Sequence, residues 1–123
     1  MNEVKLQHEL KLFRGTSRYY KHLFPGKSPI LLTEGCKYVR DEMDAYWLFD
    51  TIVKYQEELE PKNINFQIWE LERLKKDLTW LLTCREHLGE KPIIRQPIEY
   101  SNFPLDFIRM WLVGGIMLLP SER

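Results

Sequence analysis

Ile64-Asn65-Phe66-Gln67-Ile68-Trp69-Glu70-Leu71, with Leu78-Thr79-Trp80-Leu81-Leu82-Thr83-Cys84-Arg85 after it, is where the hydrophobic period of the chain changes from helical to two. Aromatic and β-branched residues crowd the first segment. In the second, Leu78, Trp80, Leu82 and Cys84 alternate with Thr79, Leu81, Thr83 and Arg85, as the two faces of a strand require. Lys75-Lys76-Asp77 reads as the turn between them. A second turn at His87 to Glu90, containing Gly89, leads into Ile93 to Tyr100, where Ile94, Ile98 and Tyr100 share a side. The three segments predict an antiparallel meander. Pro92 and Pro97 lack the N–H that a central ladder needs, so the third strand belongs at an edge or on a bulge.

Upstream the period is helical. Asn2 can cap a short helix that places Leu6, Leu10 and Phe13 on one side, with Gly15 as its terminator. Phe24-Pro25-Gly26-Lys27-Ser28-Pro29 is a loop, since two prolines and a glycine exclude regular structure. After the apolar run Ile30-Leu31-Leu32, Thr33 caps a helix to about Met43, and Asp44 caps a second one from Ala45. There Tyr46, Phe49, Ile52 and Val53 follow the 3.6 spacing, and Trp47 and Leu48 widen the stripe until most of the helix must be buried. It ends by Pro61. Downstream of the meander, Pro104 suits a first helical turn, and Phe103, Phe107 and Trp111 fall at i, i+4 and i+8. Gly114-Gly115 stops that helix, and Ile116 to Leu119 returns as a short strand. The expected fold is therefore α+β, one domain over residues 1–123: a three- to four-stranded antiparallel meander with about four helices packed mainly on one face.

Composition narrows the function classes. The 123 residues are 44% hydrophobic and 29% charged, which suits one compact domain. Eighteen basic residues balance eighteen acidic ones, which removes the compositional argument for a polyanionic partner. The balance hides a drift: residues 1–30 carry six basic and two acidic groups, and residues 31–60 three basic and eight acidic. The opening residues have no hydrophobic signal region, and Trp111 to Leu119 is too short to span a bilayer. A cytoplasmic protein is expected. Cys36 and Cys84 stand alone in sequence, so both are read as small core hydrophobes.

No motif assigns a reaction. Gly26-Lys27-Ser28 echoes a phosphate-binding loop, but Lys21 stands where its first glycine belongs, and Pro25 and Pro29 deny the strand-to-helix setting. His8, His22 and His87 have no metal-ligand spacing, and no nucleophile signature is present. Neither a cofactor nor a metal is expected, and the chain is read as a non-enzyme. One residue pair keeps an enzymatic alternative open, His22 with Asp50.

Two features remain for binding. Arg14, Arg18, Lys21, His22 and Lys27 are interleaved with Tyr19, Tyr20 and Phe24, which suits either a protein interface rich in Arg and Tyr or a phosphate-and-stacking site for single-stranded nucleic acid. Trp47, Trp80 and Trp111 lie on expected apolar faces. Trp69 sits opposite Phe66 and Ile68 on its strand, so either both sides of that strand are covered or Trp69 joins an exposed binding patch.

Phe13-Arg14-Gly15-Thr16 with Tyr20-Lys21-His22, Thr33-Glu34-Gly35-Cys36-Lys37-Tyr38, and Ala45-Tyr46-Trp47-Leu48-Phe49-Asp50 form ordered blocks. Phe66-Gln67-Ile68-Trp69, Phe103-Pro104-Leu105-Asp106 and Leu119-Pro120-Ser121-Glu122 continue them. In these blocks the sequence resembles an uncharacterised bacterial and phage family, a domain of unknown function. Arg14, Glu34, Asn102 and Arg123 depart from its pattern, where Thr, Asp, Asp and an aromatic residue are usual. The resemblance implies a small cytoplasmic protein carried on phage or mobile elements, and it supplies no catalytic residue. Borrowing position alone, Thr16, His22, Thr33, Asp50 and Gln67 are the polar block residues that core packing does not explain. Thr16 and Thr33 suit caps or turns, Asp50 a helix-borne partner of Lys21 or His22, and Gln67 a buried backbone group.

The leading expectation is a protein-binding regulator or inhibitor of a host protein. Nucleic-acid binding through Arg14, Arg18, Tyr19, Tyr20 and Lys21 is the alternative. An edge strand with a surplus of aromatics also suits a homodimer, and no membrane partner is expected.

Overall fold

The computed structural model describes residues 3–74 and 79–123. Asn2 and the Lys75-Lys76-Asp77 turn with Leu78 lie outside the described residues. The elements run α1 (Glu3–Lys11), β1 (Tyr20–His22), β2 (Ile30–Leu32), α2 (Glu34–Glu42), α3 (Tyr46–Leu59), β3 (Phe66–Arg73), β4 (Trp80–Arg85), β5 (Ile94–Ile98), β6 (Phe107–Val113) and β7 (Ile116–Leu118). Single 3-10 turns follow at Glu60–Lys62 and Pro120–Glu122.

The strands form one seven-stranded sheet in the order β1-β2-β7-β6-β3-β4-β5. Every neighbouring pair is antiparallel except β2 with β7, which run parallel through Leu31↔Ile116 and Leu32↔Met117. The expected three- to four-stranded antiparallel sheet with about four helices is thus corrected: the described residues form a mixed seven-stranded sheet with three α-helices. The α+β class stands, and so does the β3-β4-β5 meander at one end, with Pro97 on the edge strand β5.

The structure differs most from expectation at residues 104–113, where a strand replaces the helix. Phe107 and Trp111 have helical spacing, but Phe107–Val113 is apolar on both faces: Ile108, Met110 and Leu112 are buried in the core while Phe107, Trp111 and Val113 line the opposite side. With apolar residues on both faces, neither period stands out. Gly114 and Gly115 do not stop a helix. Their φ angles of 56° and 82° close a two-residue hairpin with Val113 paired to Ile116, a turn that needs positive φ at both central positions. β1 and β2 were missed because three residues carry too little pattern.

The helices follow their expected boundaries more closely. Thr33 caps α2, its hydroxyl accepting from the Cys36 N–H at 3.3 Å. Ala45 rather than Asp44 is the cap of α3. Asp44 instead takes the left-handed conformation, φ 54°, and turns the chain between the two helices.

All three helices pack on one face of the sheet. Leu6, Val39, Leu48, Phe49 and Ile52 from the helices share a single cluster with Leu32, Trp69, Leu71, Leu82, Met110, Leu112 and Met117 from the strands. Phe103 and Leu105 of the segment before β6 close its end, Phe103 meeting Trp80 edge to face. Among the described residues no helix lies on the other face. At the β1 edge, Arg40 Nη1 donates to the outward Lys21 carbonyl at 3.4 Å, which leaves less of that edge for another strand.

Candidate functional site

The blocks quoted above meet in pairs. His22 on β1 reaches Asp50 on α3, Nε2 to Oδ1 at 2.7 Å, and its other ring nitrogen lies 3.3 Å from Arg40 Nη1. A guanidinium only donates, so Nδ1 accepts and Nε2 carries the proton given to Asp50. The imidazole is 1% exposed, enclosed by Tyr46 and Phe49 at ring distances of 5.8 and 5.7 Å. Arg40 continues the chain of contacts, its Nε donating to Asp41 at 2.8 Å and its guanidinium lying 4.7 Å from the Tyr46 ring. Burial raises the Asp41 carboxyl, and hydrogen bonds from Arg40 and Lys37 overcome that to hold it below its ordinary value. The pairing of His22 with Asp50 is as the alternative required, but both ring nitrogens are engaged. In this arrangement neither can take a proton from a substrate.

Thr33 and Gly35 meet Glu122. The Glu122 carboxylate accepts from the Thr33 hydroxyl at 2.6 Å, from the Gly35 N–H at 3.0 Å and from the Leu119 N–H at 2.9 Å. Thr16 accepts from the Glu34 N–H at 3.0 Å, and Glu34 accepts from the Ser17 hydroxyl at 2.7 Å, which holds its carboxyl below the ordinary value. Gln67 fills all its capacity: its Oε1 accepts from Gln56 Nε2 and Trp69 Nε1, and its Nε2 donates to Gln56 Oε1 and the Ile64 carbonyl. Thr16, Thr33, Asp50 and Gln67 are therefore explained by clasps that hold the fold.

Trp69 leaves the set of exposed candidates. It is 1% exposed, packed on Tyr55 with ring centroids 5.9 Å apart, on the helix-covered face. Trp111 takes the opposite place. It was expected in the core and lies half-buried on the uncovered face, 5.0 Å beneath the Arg123 guanidinium.

The basic and aromatic segment divides. Arg14, Arg18, Tyr19 and Lys21 are exposed, whereas Tyr20 is half-buried beside Lys37 and His22 is buried. Lys27 pairs with Glu57. The loop that carries it lines a cavity of about 410 Å3 together with Gln56 and Gln67, whose amides already satisfy one another.

The uncovered face is the second assembly. Register places Lys21, Leu31, Ile116, Val113 and Phe66 in one row across five strands, and Leu118, Trp111, Ile68 and Arg85 in the next. The third row is polar, with Glu70 between Arg109, 2.7 Å away, and Arg85, 3.4 Å away. A cavity of about 380 Å3 opens on the apolar rows, bordered by Thr16, Tyr19 and Arg123. Val113 is 41% exposed there. Sequence reading missed this face with the β6 hairpin. The Gly-Gly pair between two apolar runs was the signal that could have found it.

The two cysteines are free and buried as expected. Burial pushes both thiols up, Cys84 to about 12, so neither is an activated nucleophile. Among the described residues no group of three or more His, Cys, Asp or Glu could hold a metal ion, and no helix is long and apolar enough to cross a membrane.

Residues 4–123 match the model of DUF6876, a family of unknown function. The chain belongs to this family. Searches of curated proteins and of solved structures found no match. This DUF6876 member has a closed His22–Arg40–Asp50 cluster and an open apolar sheet face.

Proposed function

We propose that this domain is a non-enzymatic, cytoplasmic protein-binding module that docks its partner on the uncovered sheet face. One observation carries the reading: Leu31, Phe66, Trp111, Val113, Ile116 and Leu118 form a contiguous apolar surface that no other described element covers. Contiguous apolar surface on a folded domain marks an interaction site more often than chance exposure does. Arg and aromatic residues at its margin are the side chains that dominate binding energy at protein interfaces. Four of the six central residues are aliphatic and offer no ring for base stacking, which favours a protein over single-stranded nucleic acid. In the phage or mobile-element setting that the resemblance implies, such a module acts as a regulator or inhibitor of a host protein.

The test compares the wild-type chain with Val113→Asp and with Arg14→Ala/Arg18→Ala as baits in the native host. A partner that is recovered by the wild type and the arginine variant, is lost with Val113→Asp, and rebinds when both proteins are purified supports the reading. Recovery that ignores Val113→Asp and vanishes with the arginine variant overturns it, and salt-sensitive nucleic acid in that sample favours the alternative.

A further inference from the structure

Resting on that reading, we infer that the occupant of the uncovered face is an acidic protein segment with an apolar centre. The argument is the charge around the patch. Lys21 lies at one end of the first apolar row and Arg85 at one end of the second, Arg109 lies beside them in the third row, and Arg123 stacks over Trp111. Arg85 and Arg109 share a single carboxylate, Glu70, and Glu122 lines the cavity with Arg123, so the four border cations Lys21, Arg85, Arg109 and Arg123 stand against these two carboxylates. The acidic residues of the chain concentrate elsewhere, with eight of the eighteen in residues 31–60, a stretch taken up largely by α2 and α3 on the covered side.

This distribution selects between occupants. A second copy stacked on the face about a two-fold axis would set Arg109, Arg85 and Lys21 against the same cations of its mate, and like charges across an interface cost affinity. A basic segment meets the same opposition. A segment with Leu or Phe at its centre and Asp or Glu on its flanks buries the apolar rows and meets the cations at the rim, where exposed pairs add selectivity and association rate. Entry by strand addition at β1 is opposed by Arg40 on the Lys21 carbonyl, so the occupant lies across the face.

The experiment uses the full chain and three synthetic peptides with one shared Leu/Phe centre and flanks of Glu, Ser or Lys. Binding is read from the Trp111 indole N–H resonance and by calorimetry. The Glu-flanked peptide is expected to bind about tenfold more tightly than the Ser-flanked one. That advantage should shrink with salt and in the Lys21→Glu variant, a change at an exposed side chain. Equal affinity for all three peptides, with the Trp111 resonance still shifting, overturns the acidic occupant and leaves the docking face standing. A concentration-dependent dimer abolished by Val113→Asp overturns it in favour of a second copy. A Trp111 shift caused by a single-stranded oligonucleotide and by no peptide overturns both the occupant and the protein-binding reading.

Discussion

The Glu122 carboxylate reaches 89 positions back along the sequence to accept the Thr33 hydroxyl at 2.6 Å, and with it the first turn of α2. Thr33 thus works in two directions, capping Cys36 and holding the Pro120–Glu122 turn against the helix.

Two variants test this clasp. Glu122→Ala leaves the Thr33 hydroxyl and the N–H groups of Gly35 and Leu119 without their acceptor, and each buried group so stranded costs about 1–3 kcal/mol. Gly35→Ala puts a methyl 2.6 Å from Leu119 Cδ1 and 2.7 Å from Glu122 Oε1, so these two buried side chains must give way, at a cost of about 1–3 kcal/mol. Urea unfolding should show both losses, and the double variant should lose less than their sum because they strike one contact. Additive losses would mean that the two residues act apart.

His22 should be the Nε2–H tautomer. Its Nδ1 faces a group that can only donate, and ring nitrogen shifts measured by NMR report the tautomer directly. Asp50→Ala strands the Nε2–H of a buried ring and should cost about 1–3 kcal/mol, while Asp50→Asn keeps an acceptor and should cost less. A Nδ1–H tautomer in the wild type would refute the arrangement.

What the sequence made legible follows from how local each signal is. Thr33 as a cap and the burial of Phe49, Ile52 and Val53 depend on neighbours within one or two turns and agree with the structure, whereas Tyr46, expected on the same buried stripe, is exposed and less of α3 is buried than its spacing suggests. The β3-β4-β5 meander is also local, since each strand pairs with the next. The parallel pairing of β2 with β7 joins residues more than eighty positions apart, and nothing in Ile30-Leu31-Leu32 announces it. The His22–Asp50 pairing was foreseen as a possibility, but Arg40, which closes it, carries no sequence mark. Trp111 lies outside its expected core, and the place of Trp69 stayed open between two readings, because a helix at residues 104–113 leaves the sheet without its sixth strand in sequence, and so without the neighbours that define its two faces.

The contrast between Trp69 and Trp111 is measurable. Trp69→Ala removes a ring that is 1% exposed, together with a donor to Gln67, and should cost about 3–5 kcal/mol. Trp111→Ala removes a half-exposed ring from the uncovered face and should cost clearly less. Denaturant midpoints of the two variants give the comparison. Equal losses would mean that Trp111 is covered in solution.

Tyr38 adds an alkaline dependence. Its hydroxyl donates to the Glu9 carboxylate, and that bond, with burial and the charges of Glu9 and Glu42 behind it, pushes the phenol up to about 12 from an ordinary 10.0. The folded state favours the neutral phenol, so the contribution of this contact to stability is complete below pH 10 and is lost as pH rises toward 12. Tyr38→Phe removes the donor and with it this part of the pH dependence. The difference in unfolding free energy between wild type and Tyr38→Phe should therefore hold constant up to about pH 10 and then narrow. A difference that stays level through pH 12 would show that the Glu9 contact does not hold α1 to α2 in solution.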